Sequence, residues 1–139
     1  MRLPDWQARF WANIDAARQT PFQWGTHDCV MWATSSIDAV LGTDYVAQAR
    51  IQYPYASEDE AAALMAQYGG ITGLVQSFLG DPVNWGQLSM GDVVLVGPIP
   101  QVTATEMLCV HDGVQLLGTA AKGVLEAPLA YAVHGWKIE

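Results

Sequence analysis

The chain of 139 residues is long enough for one domain with its own hydrophobic core. Fourteen acidic residues outnumber six basic ones, and the net charge of −8 leaves no basic patch to neutralise phosphates, so we expect no binding to nucleic acid. Charged residues make up only 14% of the sequence and apolar residues 51%. This composition predicts that partner proteins cover part of the apolar surface.

The sequence predicts no membrane span, because no apolar run approaches the ~18 residues that cross a bilayer. Charged residues such as Asp5 and Arg9 interrupt the first twenty positions, which is unlike the apolar core of a signal peptide. We therefore expect that the chain is made in a reducing cytosol, or leaves it by a route other than classical secretion. In that compartment Cys29 and Cys109, the two cysteines of the sequence, are expected to be thiols.

Apolar residues at three- and four-residue spacing predict four helices before residue 81. Thr26 is the predicted N-cap of the second helix, with Asp28 in its first turn. Ser57 and Glu60 form a capping box for the third. Residues 43–56 are predicted to be irregular. The predicted helices are residues 4–19, 26–41, 57–68 and 71–79.

Strand-like runs begin after Trp85. The dipeptide Asp112-Gly113 predicts a hairpin between two of them. Helices that precede a small antiparallel sheet predict an α+β domain, and we expect residues 1–139 to form that single domain. The predicted strands are residues 93–96, 107–110, 114–117, 124–125 and 133–138.

Residues 21–34, PFQWGTHDCVMWAT, place Cys29 near the predicted start of the second helix. A helix N-terminus stabilises a thiolate through its unpaired N–H groups and its dipole, so Cys29 is a candidate nucleophile. The neighbouring Asp28 opposes this, because a nearby negative charge raises the pKa of a thiol. Alternatively, Cys29 is a small apolar residue buried in a helix-packing face. The local sequence leaves both interpretations open.

Two motifs occur in order on the predicted second helix and first strand. They are Trp24-Gly25 with Asp28-Cys29, and Leu88 with Gly91-Asp92-Val93-Val94. The hairpin dipeptide and Lys122-Gly123-Val124 follow them, so that the pattern covers most of residues 20–127. Together these segments resemble the NlpC-type cell-wall peptidases, a papain-like superfamily of cysteine hydrolases. The resemblance implies a papain-like fold, with N-terminal helices packed on a small antiparallel sheet and a structural turn at Asp92.

The resemblance implies that Cys29 attacks an amide carbonyl and makes its neighbours Trp24 and Asp28 candidates for substrate binding. In this family a histidine is the general base, and a third polar residue belongs to the site. The corresponding positions in this sequence are occupied by Thr105 and Leu117. Neither side chain takes a proton from a thiol near neutral pH.

His111 is the candidate replacement for the base, because it has the same strand parity as position 105. It lies six residues further along, which is about 20 Å on an extended strand.

A zinc site is a second hypothesis for the cysteines. His27 and Cys29, together with Cys109 and His111, would provide two nitrogen and two sulfur ligands. The one-residue gaps differ from the usual zinc knuckle, and Cys109 lies in an apolar strand. We therefore expect no metal and no other cofactor.

The Pro-Phe-x-Trp-Gly segment before Cys29 and the Trp-Lys-Ile ending resemble a branch of this superfamily that accompanies the tail tip of phages. This implies a component of the virion tail, made in the cytoplasm of the host bacterium, with other tail-tip or hub proteins as partners. Two functions remain open. The domain is either a degenerate, structural part of the tail hub or an active cysteine peptidase that cleaves peptidoglycan peptides during genome entry. The missing base favours the structural role.

Overall fold

A computed structural model describes residues 1–100 and 106–139 of the chain. In these residues five α-helices precede a six-stranded antiparallel sheet of order β1-β6-β2-β3-β4-β5, which confirms the α+β class. The helices are α1 (Trp6–Ala17), α2 (Cys29–Leu41), α3 (Tyr45–Gln52), α4 (Glu58–Tyr68) and α5 (Ile71–Leu79). The strands are β1 (Val83–Asn84), β2 (Val93–Val96), β3 (Met107–His111), β4 (Leu116–Thr119), β5 (Val124–Ala127) and β6 (Ala132–Trp136). Among the helices of the described ranges, none has the length and hydrophobicity that crossing a bilayer requires.

Helix α2 is buried between α1 and the sheet, so it forms the centre of the core. Leu108 and Val110 of β3 point towards the helices, whereas Cys109 points to the opposite face of the sheet. Both faces of β2 and β3 are buried, which explains their unbroken apolar sequences. The buried, core position expected for Cys109 is confirmed, since it is 1% exposed.

Helix α3 was not predicted, because its start is stabilised from a distant part of the sequence. The Asp38 carboxylate on α2 accepts hydrogen bonds from the backbone N–H groups of Tyr45 at 2.8 Å and Val46 at 3.0 Å. It also accepts one from the Thr43 hydroxyl at 2.6 Å. These bonds satisfy N–H groups that the first turn of a helix leaves unpaired. The prediction that residues 43–56 are irregular was therefore wrong for the middle of this segment.

The hairpin after β3 is longer than predicted. His111 pairs with Leu116, so that residues 112–115 form the loop and β4 starts two residues later than expected. The Asp112 side chain accepts hydrogen bonds from the backbone N–H groups of Val114 at 2.8 Å and Gln115 at 2.7 Å. This local side-chain bonding favours a turn over an immediate return to the ladder.

Asp92 joins residues near both ends of the chain to the start of β2. Its carboxylate is completely buried and contacts the guanidinium of Arg2 at 3.0 Å and the ammonium of Lys137 at 2.8 Å. It also accepts hydrogen bonds from the backbone N–H groups of Ser89 and Ile138, each at 2.9 Å. These contacts agree with the structural role expected for Asp92.

We expect Asp92→Asn to lower the free energy of unfolding by about 3 kcal/mol, because it leaves two partly buried cations without their counter-charge. Chemical denaturation followed by circular dichroism measures the change. Asp15→Asn is the matched control, because Asp15 is exposed and lies 3.7 Å from Arg18. A surface pair of this kind contributes less than about 1 kcal/mol. Equal effects of the two substitutions would contradict the role of Asp92.

Candidate functional site

Asp28 determines where helix α2 begins. Its side chain is 1% exposed and accepts a hydrogen bond from the backbone N–H of Met31 at 2.8 Å, which makes it the N-cap. The second carboxylate oxygen accepts hydrogen bonds from the Gly25 N–H at 2.8 Å and the Tyr55 hydroxyl at 2.6 Å. The helix therefore begins at Cys29, later than predicted, and Thr26 is not its cap.

The same bonds give Asp28 a structural role, and its predicted role in substrate binding stays a prediction. Both carboxylate oxygens accept hydrogen bonds from the protein itself, and the side chain is 1% exposed, so the structure shows Asp28 as a structural residue. Burial and the charge of Asp28 raise the pKa of Tyr55, which keeps the phenol protonated as a donor. Gly25 is needed here because its φ is 80° and a Cβ would collide with the carbonyl oxygen of Tyr55.

Cys29 is the first residue of α2 and is partly exposed. Burial raises the pKa of its thiol to about 11, and the charge of Asp28 adds to this effect. Backbone hydrogen bonds from Leu108, Val30 and Cys29 itself lower the pKa and offset only part of the increase. The predicted position at a helix start is thus observed. The thiol nevertheless stays protonated at neutral pH, so the helix N-terminus does not activate it.

A cleft of about 700 Å³ opens beside Cys29, between α2, α4 and the sheet. Trp24 lines this cleft, is 36% exposed and packs edge-to-face on Phe22 with a centroid distance of 4.9 Å. The structure therefore brings Trp24 and Cys29 to one cleft. Its other apolar residues include Val30, Met65, Ile71, Met107 and Leu125. The polar or charged residues besides Cys29 are Asp28, Tyr55, Glu58, Glu106 and Thr119.

His111 does not line the cleft. It lies at the end of β3, whereas the cleft is lined by Glu106 and Met107 next to the other end. The backbone that contacts Cys29 is that of Leu108, three residues before His111 and about 10 Å away along the strand. Burial lowers the pKa of His111, and its Nδ1 accepts a hydrogen bond from the Gly113 N–H at 2.9 Å. The structure does not support the predicted catalytic role of His111.

The other two histidines of the sequence also lie elsewhere. The Nε2 of His134 is 2.9 Å from the Thr72 hydroxyl, and His134 is separated from Leu108 by one strand, which is about 10 Å across the sheet. His27 packs beside Trp32, with ring centroids 6.4 Å apart, and lines a separate cavity of 190 Å³. No histidine of this sequence therefore lines the cleft at Cys29.

The positions to which the resemblance assigned a base and a third polar residue provide neither. Thr105 lies outside the described residues. Leu117 is 1% exposed and packs in the core between the helices and the sheet. Thr119, two residues later on the same face of β4, lines the cleft instead. The sequence could have indicated Thr119, because side chains two residues apart on a strand lie on the same face.

Glu106 is the second polar residue that sequence reasoning missed. Its carboxylate accepts a hydrogen bond from the backbone N–H of Ile71 at 3.1 Å, at the start of α5. This contact joins residues 35 positions apart, so no local sequence pattern predicts it. Glu106 therefore ties α5 to the wall of the cleft.

The zinc hypothesis finds no support in the described ranges. Within them, no three side chains of the His, Cys, Asp or Glu type come together in a way that could hold a metal ion. His27, Cys29, Cys109 and His111 are thus not gathered into one site.

We expect the rate of Cys29 alkylation by iodoacetamide to rise about tenfold per pH unit up to at least about pH 9.5, because the thiolate fraction grows until the pKa of about 11. Mass spectrometry of the Cys29 peptide measures the rate, and circular dichroism at each pH confirms folding. In the Cys29→Ala variant only Cys109 can be alkylated, so this variant gives the background rate. A plateau below about pH 8 would contradict the raised pKa.

Asp28→Asn removes the negative charge beside the thiol, so we expect the pKa of Cys29 to fall and its alkylation at neutral pH to accelerate. The amide of asparagine has only one acceptor oxygen, so the N–H of either Met31 or Gly25 loses its partner. We expect this loss to lower the free energy of unfolding by about 2 kcal/mol. Asp38→Asn is the control, because it also disrupts a helix cap but at α3. Equal acceleration in both variants would assign the effect to unfolding rather than charge.

Comparisons with known proteins place the chain in a family. Neither a search of curated proteins nor a search of solved structures found a match. A family model, described as Domain of unknown function (DUF6950), matches residues 1–138. The chain therefore belongs to this family.

Proposed function

We propose that the chain is a papain-like domain of a phage tail tip that retains a peptidase-type cleft but acts there as a structural component rather than as an enzyme. The observation that carries this proposal is the absence of all three histidines from the cleft at Cys29. The raised pKa of Cys29, which keeps its thiol protonated at neutral pH, also supports a structural role.

The arrangement of the elements supports an NlpC-type fold. Cys29 begins a central helix that packs on an antiparallel sheet, as the resemblance implies. The Gly91-Asp92 turn precedes β2 and is held by buried contacts of Asp92. The chain therefore combines the order of the motifs with the packing expected of this superfamily.

The chemistry supports a loss of activity. A cysteine nucleophile needs a base within hydrogen-bond reach of its sulfur, about 2.6–3.2 Å for heavy atoms. None of the described polar residues of the cleft is a histidine. The Asp28 carboxylate caps α2 and accepts a hydrogen bond from the hydroxyl of Tyr55, and one oxygen of Glu106 bonds to the start of α5. Glu58 is an exposed residue in the first turn of α4. Thr119 has a hydroxyl, which is too weakly basic to take the proton of a thiol.

Exposed apolar side chains support a place in an assembly. Trp11, Trp85, Val133 and Ile51 are 37%, 47%, 49% and 84% exposed. Large apolar side chains at the surface often mark contacts with partners. Under this proposal the chain is made in the cytoplasm of the host bacterium, and other tail-tip or hub proteins cover such side chains in the virion.

The second candidate is an active cysteine peptidase that cleaves peptidoglycan stem peptides, with Cys29 as its nucleophile. The specific observation in its favour is that Cys29 and Trp24 share an open cleft. Activity would require a base other than the three histidines of this sequence, because none of them lines the cleft.

Cys29→Ser separates the two functions. If the role is structural, phage particles carrying the variant should contain the chain and infect as well as wild type, because the serine keeps the helix start. Mass spectrometry of purified particles and plaque assays provide the measurements, with Asp92→Asn as a control for lowered stability. Infection that fails while the chain is present in the particle, together with cleavage of murein peptides by wild type only, would establish the enzyme instead.

A further inference from the structure

The cleft at Cys29 has an excess of negative charge. Asp28, Glu58 and Glu106 line it, and none of the six basic residues of the sequence does. Arg2 and Lys137 are paired with Asp92 on another part of the molecule. Opposite charge on a ligand would therefore be attracted to this cleft, most strongly at low salt.

Thr119 provides a separate indication of a ligand. Its side chain lies on the helix-side face of β4, lines the cleft and is 6% exposed. Its hydroxyl has no hydrogen-bond partner within residues 1–100 and 106–139. A buried hydroxyl without a partner is costly, and an amide group of a ligand would satisfy it.

The remainder of the wall is apolar. Trp24, Met65, Met107 and Leu125 line the cleft, and methionine in particular adapts to side chains of different shape. The volume of about 700 Å³ lies in the range of ligand-binding clefts. A ligand that matches the whole wall must combine apolar groups, an amide and a positive charge.

We infer that the cleft binds a peptide segment of a partner protein in which a lysine or arginine lies next to apolar residues. The ammonium or guanidinium group is held by Glu58 and Glu106, the peptide backbone bonds to Thr119, and the apolar side chains pack on Trp24. This inference rests on the proposed non-catalytic function, because a segment that is held must not be cut.

Fluorescence anisotropy with labelled pentapeptides tests the inference. The probe is fluorescein-Leu-Ala-Lys-Ala-Leu, and the two controls replace lysine by norleucine or by glutamate. We expect the lysine peptide to bind with a Kd of about 1 mM or tighter, and about tenfold more tightly than the norleucine peptide. Added salt should remove most of this difference.

Variants of the protein locate the peptide. Glu58→Gln and Glu106→Gln should each weaken binding of the lysine peptide about threefold and leave the norleucine peptide unchanged. The Glu106 variant keeps an oxygen for the Ile71 N–H, so the start of α5 is preserved. Asp59→Asn is the matched control, because Asp59 is in the same first turn as Glu58 but does not line the cleft.

Mass spectrometry of the peptide after incubation separates the two proposals. An intact peptide that binds as described supports both. Cleavage of a bound peptide would overturn the non-catalytic function while leaving the cleft as its binding site. Equal affinity for the lysine and glutamate peptides, or no saturable binding, would overturn the inference without affecting the non-catalytic function.

Discussion

The cleft depends on one buried carboxylate, that of Asp28. It receives hydrogen bonds from the N–H groups of Met31 and Gly25 and from the hydroxyl of Tyr55, and so joins helix α2, the turn before it and the segment after α3. A buried charge needs such partners to offset the loss of hydration. These three bonds hold the start of α2, where Cys29 is the first helical residue and faces the backbone of Leu108.

The bonds that position Cys29 also limit its reactivity. The negatively charged Asp28 cap stabilises helix α2, because the N-terminal end of a helix dipole is positive. The same charge beside a thiol disfavours the thiolate, and burial acts in the same direction. A peptidase overcomes such effects with a histidine close to the sulfur. Here the three histidines lie in other parts of the fold, so none of them lines the cleft at Cys29.

Local patterns predicted much of the fold. Ser57 caps α4 as its capping box indicates, and Gly42, with a φ of 73°, ends α2 where the sequence places it. The apolar run at residues 93–96 is a strand buried on both faces. The prediction for residues 43–56 failed because a distant residue competes with local preference. Helix α3 forms because Asp38 of α2 caps it, and no pattern within residues 43–56 contains that bond.

The sequence by itself determined the α+β class, with helices before strands, and the presence of a cysteine at a helix start, because periodicity, caps and turn residues act over a few positions. Only the tertiary structure decided what surrounds that cysteine. It placed Thr119 and Glu106 in the cleft and His111 at the far end of β3. The physical reason is that strand pairing and helix packing bring together residues far apart in the chain, and the pKa of a thiol depends on those neighbours and on burial.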